Sequence, residues 1–388
     1  MATERPGLRM MREPETPTAR LALDTIHRRP VRGIPNWFLN VMEHEHIERL
    51  AGAQPGDYRR RPEETYHAMQ VALGTCLMDQ YIPDNPLSMG AHGFEGGAGH
   101  SATTGAETIT LDGITIDGPE AVVEHLERFV FNRLSDAITD FDEDTRVAEI
   151  LDREASLQER IGPTMLKSGY AFISFPYLAY FTYGYAPYFL AYALYPEVME
   201  RHFALQADLA LLNNRAAARA YAEGGLPPLH RLDSDMADSR GLLVSMESLE
   251  RLWLPHFARC LEPVLKTDVK LIWHCDGNLM DMVPRLLEVG LRGFQGFQYE
   301  DGMDYERICR MRTRDGEPLV IIAGVSVTRT LPLGTAADVK RELEWLVRCG
   351  PPTGLFLGGS SSITPGVPWE NMQMLVEGLR YYREHGRQ

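Results

Sequence analysis

The segment His274-Cys275-Asp276-Gly277 is the strongest candidate for chemistry in this sequence. It directly follows residues 269–273, which are apolar except for Lys270 and are typical of a buried strand. Imidazole, thiol and carboxylate groups are donors that a zinc ion prefers. Because side chains alternate along an extended strand, His274 and Asp276 would share one side and Cys275 would face the other. We therefore expect His274 and Asp276 to form the functional pair. A histidine that only hydrogen-bonds a neighbouring strand end remains the alternative.

Acidic residues follow two further predicted strands. Asp235 ends the strand that begins near residue 226, within the run 233–238, and Glu300 lies beyond the strand 293–297. Each acidic group is either a cation or substrate site, or a loop whose carboxylates are simply solvated. Asp235 is our second candidate for a catalytic residue.

Polar residues also collect after other predicted strands, where they would bind substrate. These candidates are Asp79, Gln298 and Ser360. No Gly-x-Ser-x-Gly turn surrounds Ser360, so we do not expect a hydrolase nucleophile there. Backbone and hydroxyl donors near Ser360 would instead hold a polar group of the substrate.

The segment 170–195 is dense in aromatic side chains, with eight tyrosines and four phenylalanines. Prolines and glycine interrupt it, and phenol hydroxyls are costly in lipid, so we do not expect it to span a membrane. Aromatic residues usually fill a core, and that reading stays open here. The functional alternative is a lining for a flat substrate, with Tyr177, Tyr180 and Tyr183 as the candidate contacts.

The second half of the chain alternates predicted strands and helices joined by short polar connections. Such alternation requires parallel strands covered by helices. Because the polar candidates follow several different strands and no Gly-x-Gly-x-x-Gly is found, the pattern favours a (β/α)8 barrel over an open doubly wound sheet. We expect a flexible leader over residues 1–20, then one barrel domain over 21–388 that begins with helices.

Composition limits the partners and the location. The 388 residues include 54 acidic and 39 basic side chains, a formal net charge of −15, and 44% of them are hydrophobic. No basic stripe offsets that charge, so nucleic acid is not an expected partner. The five cysteines form no Cys-x-x-Cys pair, and the N-terminus has no signal-peptide core, so the cytoplasm is the expected location.

Segments along most of the chain carry a family resemblance. They are Arg20-Leu21-Ala22-Leu23, Arg32-Gly33-Ile34-Pro35, Asp235-Met236-Ala237, Leu271-Ile272-Trp273-His274-Cys275-Asp276-Gly277-Asn278, Glu300-Asp301-Gly302-Met303-Asp304, Gly334-Thr335-Ala336-Ala337-Asp338-Val339 and Pro365-Gly366-Val367-Pro368-Trp369-Glu370-Asn371. In these segments the chain resembles the uroporphyrinogen decarboxylase-like superfamily, which also contains the cobamide-dependent methyltransferases. The resemblance implies a (β/α)8 barrel with its site at the carboxyl ends of the strands.

Two departures from that superfamily narrow the implied function. True uroporphyrinogen decarboxylases hold the porphyrinogen carboxylates with arginines of a Met-Arg-Gln-Ala-Gly-Arg-Tyr segment, whereas the corresponding stretch 36–42 has no arginine here. Haem biosynthesis is therefore not expected. The thiol-activating methyltransferases use His-x-Cys and a later cysteine as zinc ligands, whereas this chain has His274-x-Asp276 and its later position falls near Gly359 or Ser360. Methyl transfer to a thiol is therefore not expected either.

The resemblance then implies the branch that takes a methyl group from a small donor, such as an aromatic methyl ether, and passes it to a corrinoid protein. A metal, with zinc as the expected ion, would be held by His274, Asp276 and either Glu300 or Asp235, and it would polarise the leaving oxygen. No Asp-x-His-x-x-Gly cobalamin signature is found, so the corrinoid would arrive on a partner protein. A homodimer is left open.

Two other functions fit the same barrel. The first is a cofactor-independent decarboxylase of a small aromatic or heterocyclic acid, with Arg329 or Lys270 as the cation that grips the carboxylate. The second is a binding protein without catalysis. Dependence on a corrinoid protein, release of carbon dioxide, and binding without turnover distinguish the three.

Overall fold

The structure is a computed structural model that describes residues 14–90, 93–94 and 108–387. The strands in chain order are β1 (Leu77–Met78), β2 (Met89–Gly90), β3 (Gly93–Phe94), β4 (Thr110–Leu111), β5 (Ile114–Thr115), β6 (Leu166–Lys167), β7 (Gly169–Tyr170), β8 (Leu229–Asp233), β9 (Ala237–Asp238), β10 (Gly241–Leu242), β11 (Lys270–His274), β12 (Gly293–Gln295), β13 (Val320–Val325) and β14 (Leu355–Gly359). The α-helices are α1 (Pro17–Ile26), α2 (His44–Ala51), α3 (Asp57–Arg60), α4 (Pro62–Leu73), α5 (Pro119–His125), α6 (Phe131–Thr139), α7 (Glu143–Ile161), α8 (Tyr180–Tyr183), α9 (Tyr185–Leu194), α10 (Pro196–Gly224), α11 (Met246–Leu252), α12 (Leu254–Leu265), α13 (Val283–Val289), α14 (Tyr305–Arg310), α15 (Thr330–Leu333), α16 (Ala336–Cys349) and α17 (Trp369–His385).

Six strands form one parallel sheet in the order β14-β13-β12-β11-β8-β7. Helices connect successive strands, because parallel neighbours need a crossover of a dozen or more residues. The predicted mixed α/β fold with a parallel sheet is confirmed. The sheet forms half of a barrel-like arrangement and places the carboxyl ends of its strands along one rim.

Shorter pairings continue beyond both edges of this sheet. Asn36 pairs with Leu357 of β14, Trp37 pairs with Leu77 of β1, and β1 pairs with β6, all of them in parallel. Only Ser168 separates β6 from β7 along the chain. These contacts are single bridges or two-residue ladders, in contrast to the three to five residue pairs within most of the six-stranded sheet.

Side chains of the main strands are buried on both faces, as in a parallel sheet covered by helices. Ile272 packs with Leu229, Ile322 and Phe356 in one core on the concave face of the sheet. Trp273 belongs to the larger core between the sheet and the helices. Because side chains alternate, His274 projects to the same face as Ile272.

The sequence of residues 107–116 predicts a hairpin with Asp112-Gly113 as its turn, and this hairpin is confirmed. β4 and β5 pair in antiparallel, and the turn residues Asp112 and Gly113 have φ of 49° and 82°. Two residues with positive φ make the turn that fits the twist of two-residue hairpins.

Three predicted elements differ in extent. The amphipathic pattern of residues 119–135 predicts one helix, whereas the structure has a π-helical turn at Leu126–Val130 and the helix continues to Thr139. Residues 246–265 were also predicted from the sequence to form one helix. The helix divides at Trp253, because Pro255 lacks the N–H that an uninterrupted helix needs. The strand expected over 293–297 ends at Gln295, because Gly296 adopts φ of 78°.

The amino-terminal leader lies mostly outside the described residues, which begin at residue 14. Helix α1 starts at Pro17, so its first four residues fall within the predicted leader of 1–20. The hydroxyls of Thr16 and Thr18 donate to the carbonyls of Pro163 and Thr164 at 2.6 and 2.5 Å. In the described ranges, every helix is too short or too polar to cross a membrane.

Candidate functional site

Three potential metal ligands lie together at the carboxyl ends of β8 and β11. The ligand atoms of Asp233, Asp235 and His274 all lie within 4.8 Å of one another. Asp233 is the last residue of β8, and His274 is the last residue of β11, and the two are paired in register. Parallel pairing therefore places the imidazole beside the carboxylate at the rim of the sheet. His274 is 8% exposed.

Asp276, predicted to pair with His274, lies beside this group on the loop after β11. Its Oδ1 is 3.9 Å from Nε2 of His274, and its main-chain N–H donates to Oδ1 of Asp235 at 2.9 Å. Cys275 is 2% exposed and belongs to the core, as predicted. Burial raises the pKa of the Cys275 thiol well above its usual value, so it stays protonated.

A buried arginine lies behind the carboxylates. Arg231 is 3% exposed; its Nη1 donates to Oδ2 of Asp233 at 2.7 Å and its Nε donates to Oδ2 of Asp79. Tyr170 donates its hydroxyl to the same Oδ2 of Asp233 at 3.0 Å. Burial disfavours the charged guanidinium, but the two carboxylates outweigh it and keep the pKa of Arg231 above its usual value.

The carboxyl groups of Asp233 and Asp235 differ in pKa. Burial raises the pKa of Asp233, but His274, Arg231 and the Tyr170 hydroxyl outweigh this effect, so the pKa lies below its usual value. Burial also raises the pKa of Asp235, and there His274 and the N–H of Asp276 do not compensate. Asp233 is therefore the more strongly acidic of two neighbouring carboxyl groups, an arrangement typical of sites that handle charge.

His274 is backed by strand β12. Gln295 is its partner in register, and Gly296 follows. A Cβ atom at Gly296 would lie 2.5 Å from Nδ1 of His274, so only glycine leaves room for the imidazole. Among the described residues, Nδ1 of His274 and Oε1 of Gln295 are buried without hydrogen-bond partners.

Three predicted substrate-binding residues are engaged by the protein itself. Both oxygens of Asp79 accept hydrogen bonds, Oδ1 from Trp37 Nε1 at 3.0 Å and Oδ2 from Arg231. Oε1 of Gln298 accepts the N–H of Gly277 at 2.7 Å. Oγ of Ser360 accepts the N–H of Val327 at 3.1 Å. These bonds tie together the loops at the rim.

Glu300, predicted as a metal ligand, lies apart from the group of Asp233, Asp235 and His274. Its Oε1 accepts the hydroxyl of Ser326 at 2.7 Å and also the hydroxyl of Thr328. The short 3₁₀ turn Tyr299–Asp301 carries Glu300 toward the end of β13. Its carboxylate therefore fixes the loop after β13.

The aromatic segment divides into buried and exposed side chains. Tyr180 is 2% exposed, and its hydroxyl donates to the main-chain oxygen of Asp235 at 2.8 Å. Tyr183 is buried and bonds Nδ1 of His125 at 2.8 Å. Tyr177 is 50% exposed. Tyr180 thus connects the aromatic segment directly to the acidic loop of the site.

The sequence-based prediction missed Asp233, Arg231 and Tyr170 as site residues. The strand before Asp235 was expected to end at Asp235, whereas β8 ends at Asp233. Alternation along β8 puts Arg231 and Asp233 on the same side as Asp235, and this spacing is the signal from which both could have been found. Nothing local marks Tyr170, because it reaches Asp233 only through the pairing of β7 with β8.

The residues present fit a divalent metal ion. Two carboxylates and one imidazole are oxygen and nitrogen donors suited to zinc, and three protein ligands leave a coordination position open, as in catalytic sites. Oδ1 of Asp276, buried and without a hydrogen-bond partner among the described residues, borders the same group. An unpaired buried carboxylate oxygen is costly unless a cation or donor satisfies it.

Comparisons with known proteins agree with the resemblance expected from the motifs. Residues 234–382 match the family model of uroporphyrinogen decarboxylase (URO-D). Among solved structures, a methyltransferase from Methanosarcina mazei superposes with a TM-score of 0.53 at 14% identity, over 94% of this chain and 98% of that one.

A second structure is a putative vitamin-B12 independent methionine synthase from Listeria monocytogenes, with a TM-score of 0.39 at 14% identity over 92% of this chain and 97% of that one. No curated protein matches the chain. The family match begins at Ser234, one residue after β8, and so covers His274, Asp276 and the closing Gly366-to-Asn371 segment. The family match confirms the resemblance over residues 234–382, and the superposition shows that the fold is shared with the methyltransferase.

Proposed function

We propose that this protein is a methyltransferase that takes a methyl group from a small donor, such as an aromatic methyl ether, and passes it to a corrinoid carried by a partner protein. The observation that carries the proposal is the convergence of Asp233, Asp235 and His274 at the strand ends. The family match and the fold shared with a methyltransferase support the same class of reaction.

Asp233, Asp235 and His274 would hold a metal ion, with zinc as the proposed species. A bound divalent ion supplies Lewis acidity at the oxygen that the methyl group leaves. Asp233 contributes a carboxylate whose ionised form is favoured by hydrogen bonds from Arg231 and the Tyr170 hydroxyl. The N–H of Asp276 fixes Oδ1 of Asp235 at 2.9 Å, so the ligand group is held in place by the chain.

The aromatic segment would receive the ring of the donor. Tyr180 joins that segment to the loop of Asp235, and its ring stacks on Phe189 with centroids 5.6 Å apart. The half-exposed Tyr177 leaves part of the segment open to a ligand. An aryl group favours such surroundings because aromatic rings attract each other in offset and edge-to-face contacts.

The proposal includes a closed (β/α)8 barrel. Its support is that the pairings can be followed around a ring of eight strand positions, from β14 to residues 36–37, β1, the segment 166–170, β8, β11, β12 and β13. In barrels of this kind the active site lies at the carboxyl ends of the strands, where the Asp233 group is found.

The cations expected for a decarboxylase are poorly placed. Lys270 is the first residue of β11, at the end of the strand opposite His274, and Arg329 is exposed. Arg231 does lie in the site, but two carboxylates already engage it. The two carboxylates around Arg231 therefore count against a negatively charged substrate at that position.

The first experiment measures the metal content of the purified protein by elemental analysis. We expect about one zinc ion per chain, which is the stoichiometry of a catalytic site with an open position. His274→Ala should lose it, and His67→Ala, whose imidazole bonds the carbonyl of Ile161 outside the site, should retain it. No metal in the wild type after zinc is supplied would remove the metal-assisted reaction.

The second experiment tests the reaction. The protein is incubated with a reduced, reconstituted corrinoid protein and a panel of methoxy-arenes, and the demethylated phenols are quantified. Product that depends on the corrinoid protein is the expected result. Carbon dioxide released from aromatic acids without corrinoid would establish the lyase, and ligand binding without turnover would establish the binding protein.

A further inference from the structure

We propose that Arg231 and Tyr170 are positioning residues for Asp233: they hydrogen-bond one of its carboxylate oxygens and leave the other turned toward His274. In the same proposal, Asp79 supports Arg231 and does not bind substrate. This inference rests on the proposed function only in taking Asp233 as a metal ligand. The contacts that carry it are independent of which substrate is used.

The two oxygens of Asp233 have different surroundings. Oδ2 accepts from Arg231 Nη1 at 2.7 Å and from the Tyr170 hydroxyl at 3.0 Å. Oδ1 lies 4.0 Å from Nε2 of His274. Two donors on one oxygen fix the plane of the carboxylate, and the second oxygen is the one that faces the ligand group.

Arg231 is itself fixed from several directions. Its Nε donates to Asp79, and its guanidinium lies over the ring of Tyr170 at 4.6 Å and over the ring of Trp37 at 5.6 Å. A planar guanidinium between aromatic faces has little freedom to turn, unlike a lysine ammonium on a flexible stem. Arg231 can therefore direct the Asp233 carboxylate as well as neutralise charge.

Asp79 is occupied on both oxygens. Oδ1 accepts from Trp37 Nε1 at 3.0 Å and from the main-chain N–H of Gln80 at 2.9 Å, and Oδ2 accepts from Arg231. With a residue exposure of 3%, Asp79 has no free face for a ligand. Its role is to balance the charge of Arg231.

The charges of Asp79, Arg231 and Asp233 sum to a single negative charge. Arg231 offsets Asp79, so Asp233 keeps a net charge for a cation although it bonds an arginine. The residues that support Asp233 come from four separate parts of the chain. They are Trp37, Asp79 after β1, Tyr170 in β7, and Arg231 in β8. Residues that hydrogen-bond a metal ligand orient that ligand, and removing them commonly lowers metal affinity about 10–100-fold.

The test measures zinc affinity of the full chain by calorimetry, independently of any methyl transfer. Tyr170→Phe removes one donor to Asp233 and leaves the ring over Arg231, and we expect its zinc affinity to fall about tenfold. Arg231→Lys keeps the charge but loses the planar geometry, and its affinity should fall at least as much. Tyr192→Phe is the matched control, because that buried hydroxyl bonds Ser248 outside the site; its affinity should stay within twofold of the wild type.

Thermal unfolding of the metal-free proteins separates positioning from folding. Tyr170→Phe and Tyr192→Phe should unfold at similar temperatures while differing in zinc affinity. Tyr170→Phe carries the test if Arg231→Lys fails to fold. The inference is overturned if the wild type binds zinc and both site variants bind it within twofold of the wild type. A wild type that binds no zinc would overturn the proposed metal site itself.

Discussion

Gly296 shows how a single residue without a side chain can shape a site. It lies directly after β12, beside the imidazole of His274, with φ of 78°. Any Cβ at this position would lie 2.5 Å from Nδ1 of His274. The imidazole, one of the three proposed metal ligands, would have to move away.

Gly296→Ala is therefore expected to weaken zinc binding about tenfold or more, the size of effect seen when a ligand loses its orientation. It should also destabilise the protein by about 1–2 kcal/mol, since an L-residue is strained at positive φ. Calorimetric zinc titration and urea unfolding measure the two effects.

Gly316→Ala is the control for Gly296→Ala. Gly316 has φ of 80°, but no atom lies within 4 Å of a Cβ built there. It should show the backbone strain and an unchanged zinc affinity. Equal zinc affinities in the two variants would contradict the assigned contact with His274.

Removing the charge of Asp79 should be costly for folding. Asp79→Asn leaves the buried Arg231 with a single carboxylate partner, and breaking a buried ion pair costs about 3–5 kcal/mol. Urea unfolding measures the loss. Glu262→Gln, which breaks the exposed pair with Lys266, should unfold like the wild type. An Asp79→Asn protein as stable as the wild type would mean that Arg231 finds another counter-charge.

At the scale of elements, the closing Gly-Val-Pro-x-Glu-Asn segment has a clear structural role. Asn371, in the first turn of α17, is 2% exposed. Its Nδ2 donates to the carbonyls of Leu331 and Gly334, both at 2.8 Å. One amide therefore joins the last helix to the end of α15 and fixes the loop that follows β13.

Asn371→Asp keeps the shape of this side chain and removes both donated hydrogen bonds. We expect a loss of about 1–3 kcal/mol in the free energy of unfolding, because buried carbonyls are left without donors. Asn132→Ala is the control, since Asn132 makes a similar bond to the Arg128 carbonyl on an exposed helix surface. Equal unfolding midpoints for the two variants would show that the Asn371 bonds do not hold α17.

Helices and strands with a strong apolar period were predictable, and boundaries set by tertiary contacts were not. The strand before His274 was expected at 269–273 and is found as β11 (Lys270–His274), because its apolar run is bounded by polar residues. His274 and Asp276 were predicted to lie together and lie 3.9 Å apart. Glu300, predicted as a third ligand, lies outside the group of Asp233, Asp235 and His274, and its carboxylate accepts the hydroxyl of Ser326. The contact of Tyr170 with Asp233 depends on which strands are neighbours, and one sequence does not specify that.

At the scale of the whole molecule, buried neutral histidines couple stability to pH. Burial lowers the pKa of His202 to about 4 from a usual value of 6.5. His202 accepts a hydrogen bond from Gln206, as a neutral ring nitrogen can. Between these two pH values the unfolded chain binds a proton at this position and the folded chain does not. Stability from this group is therefore complete above pH 6.5 and is lost as the pH falls toward 4.

His202→Asn should accordingly show a weaker dependence of unfolding free energy on pH. The wild type should lose up to about 3 kcal/mol more than the variant between pH 7 and pH 4, at about 1.4 kcal/mol per pKa unit. Urea titrations at several pH values measure both curves. Parallel curves would mean that His202 is protonated in the folded protein.

The unequal lengths of the strand pairings have a consequence for how the molecule opens. The pairings of residues 36–37 are single bridges, and one of them joins positions more than 300 residues apart in sequence, while β13 and β14 share five residue pairs. Amides in the short pairings, such as the N–H of Trp37 bonded to the Leu357 carbonyl, have fewer paired neighbours than those between β13 and β14, so we expect them to open at a lower free energy. Opening of the pairings of residues 36–37 separates Trp37 from Asp79, while β8, β11 and β13 remain in the sheet. We therefore expect hydrogen exchange to be faster for amides of these short pairings than for amides between β13 and β14. Opening of the short pairings would also disturb Arg231 before it disturbs the rest of the sheet.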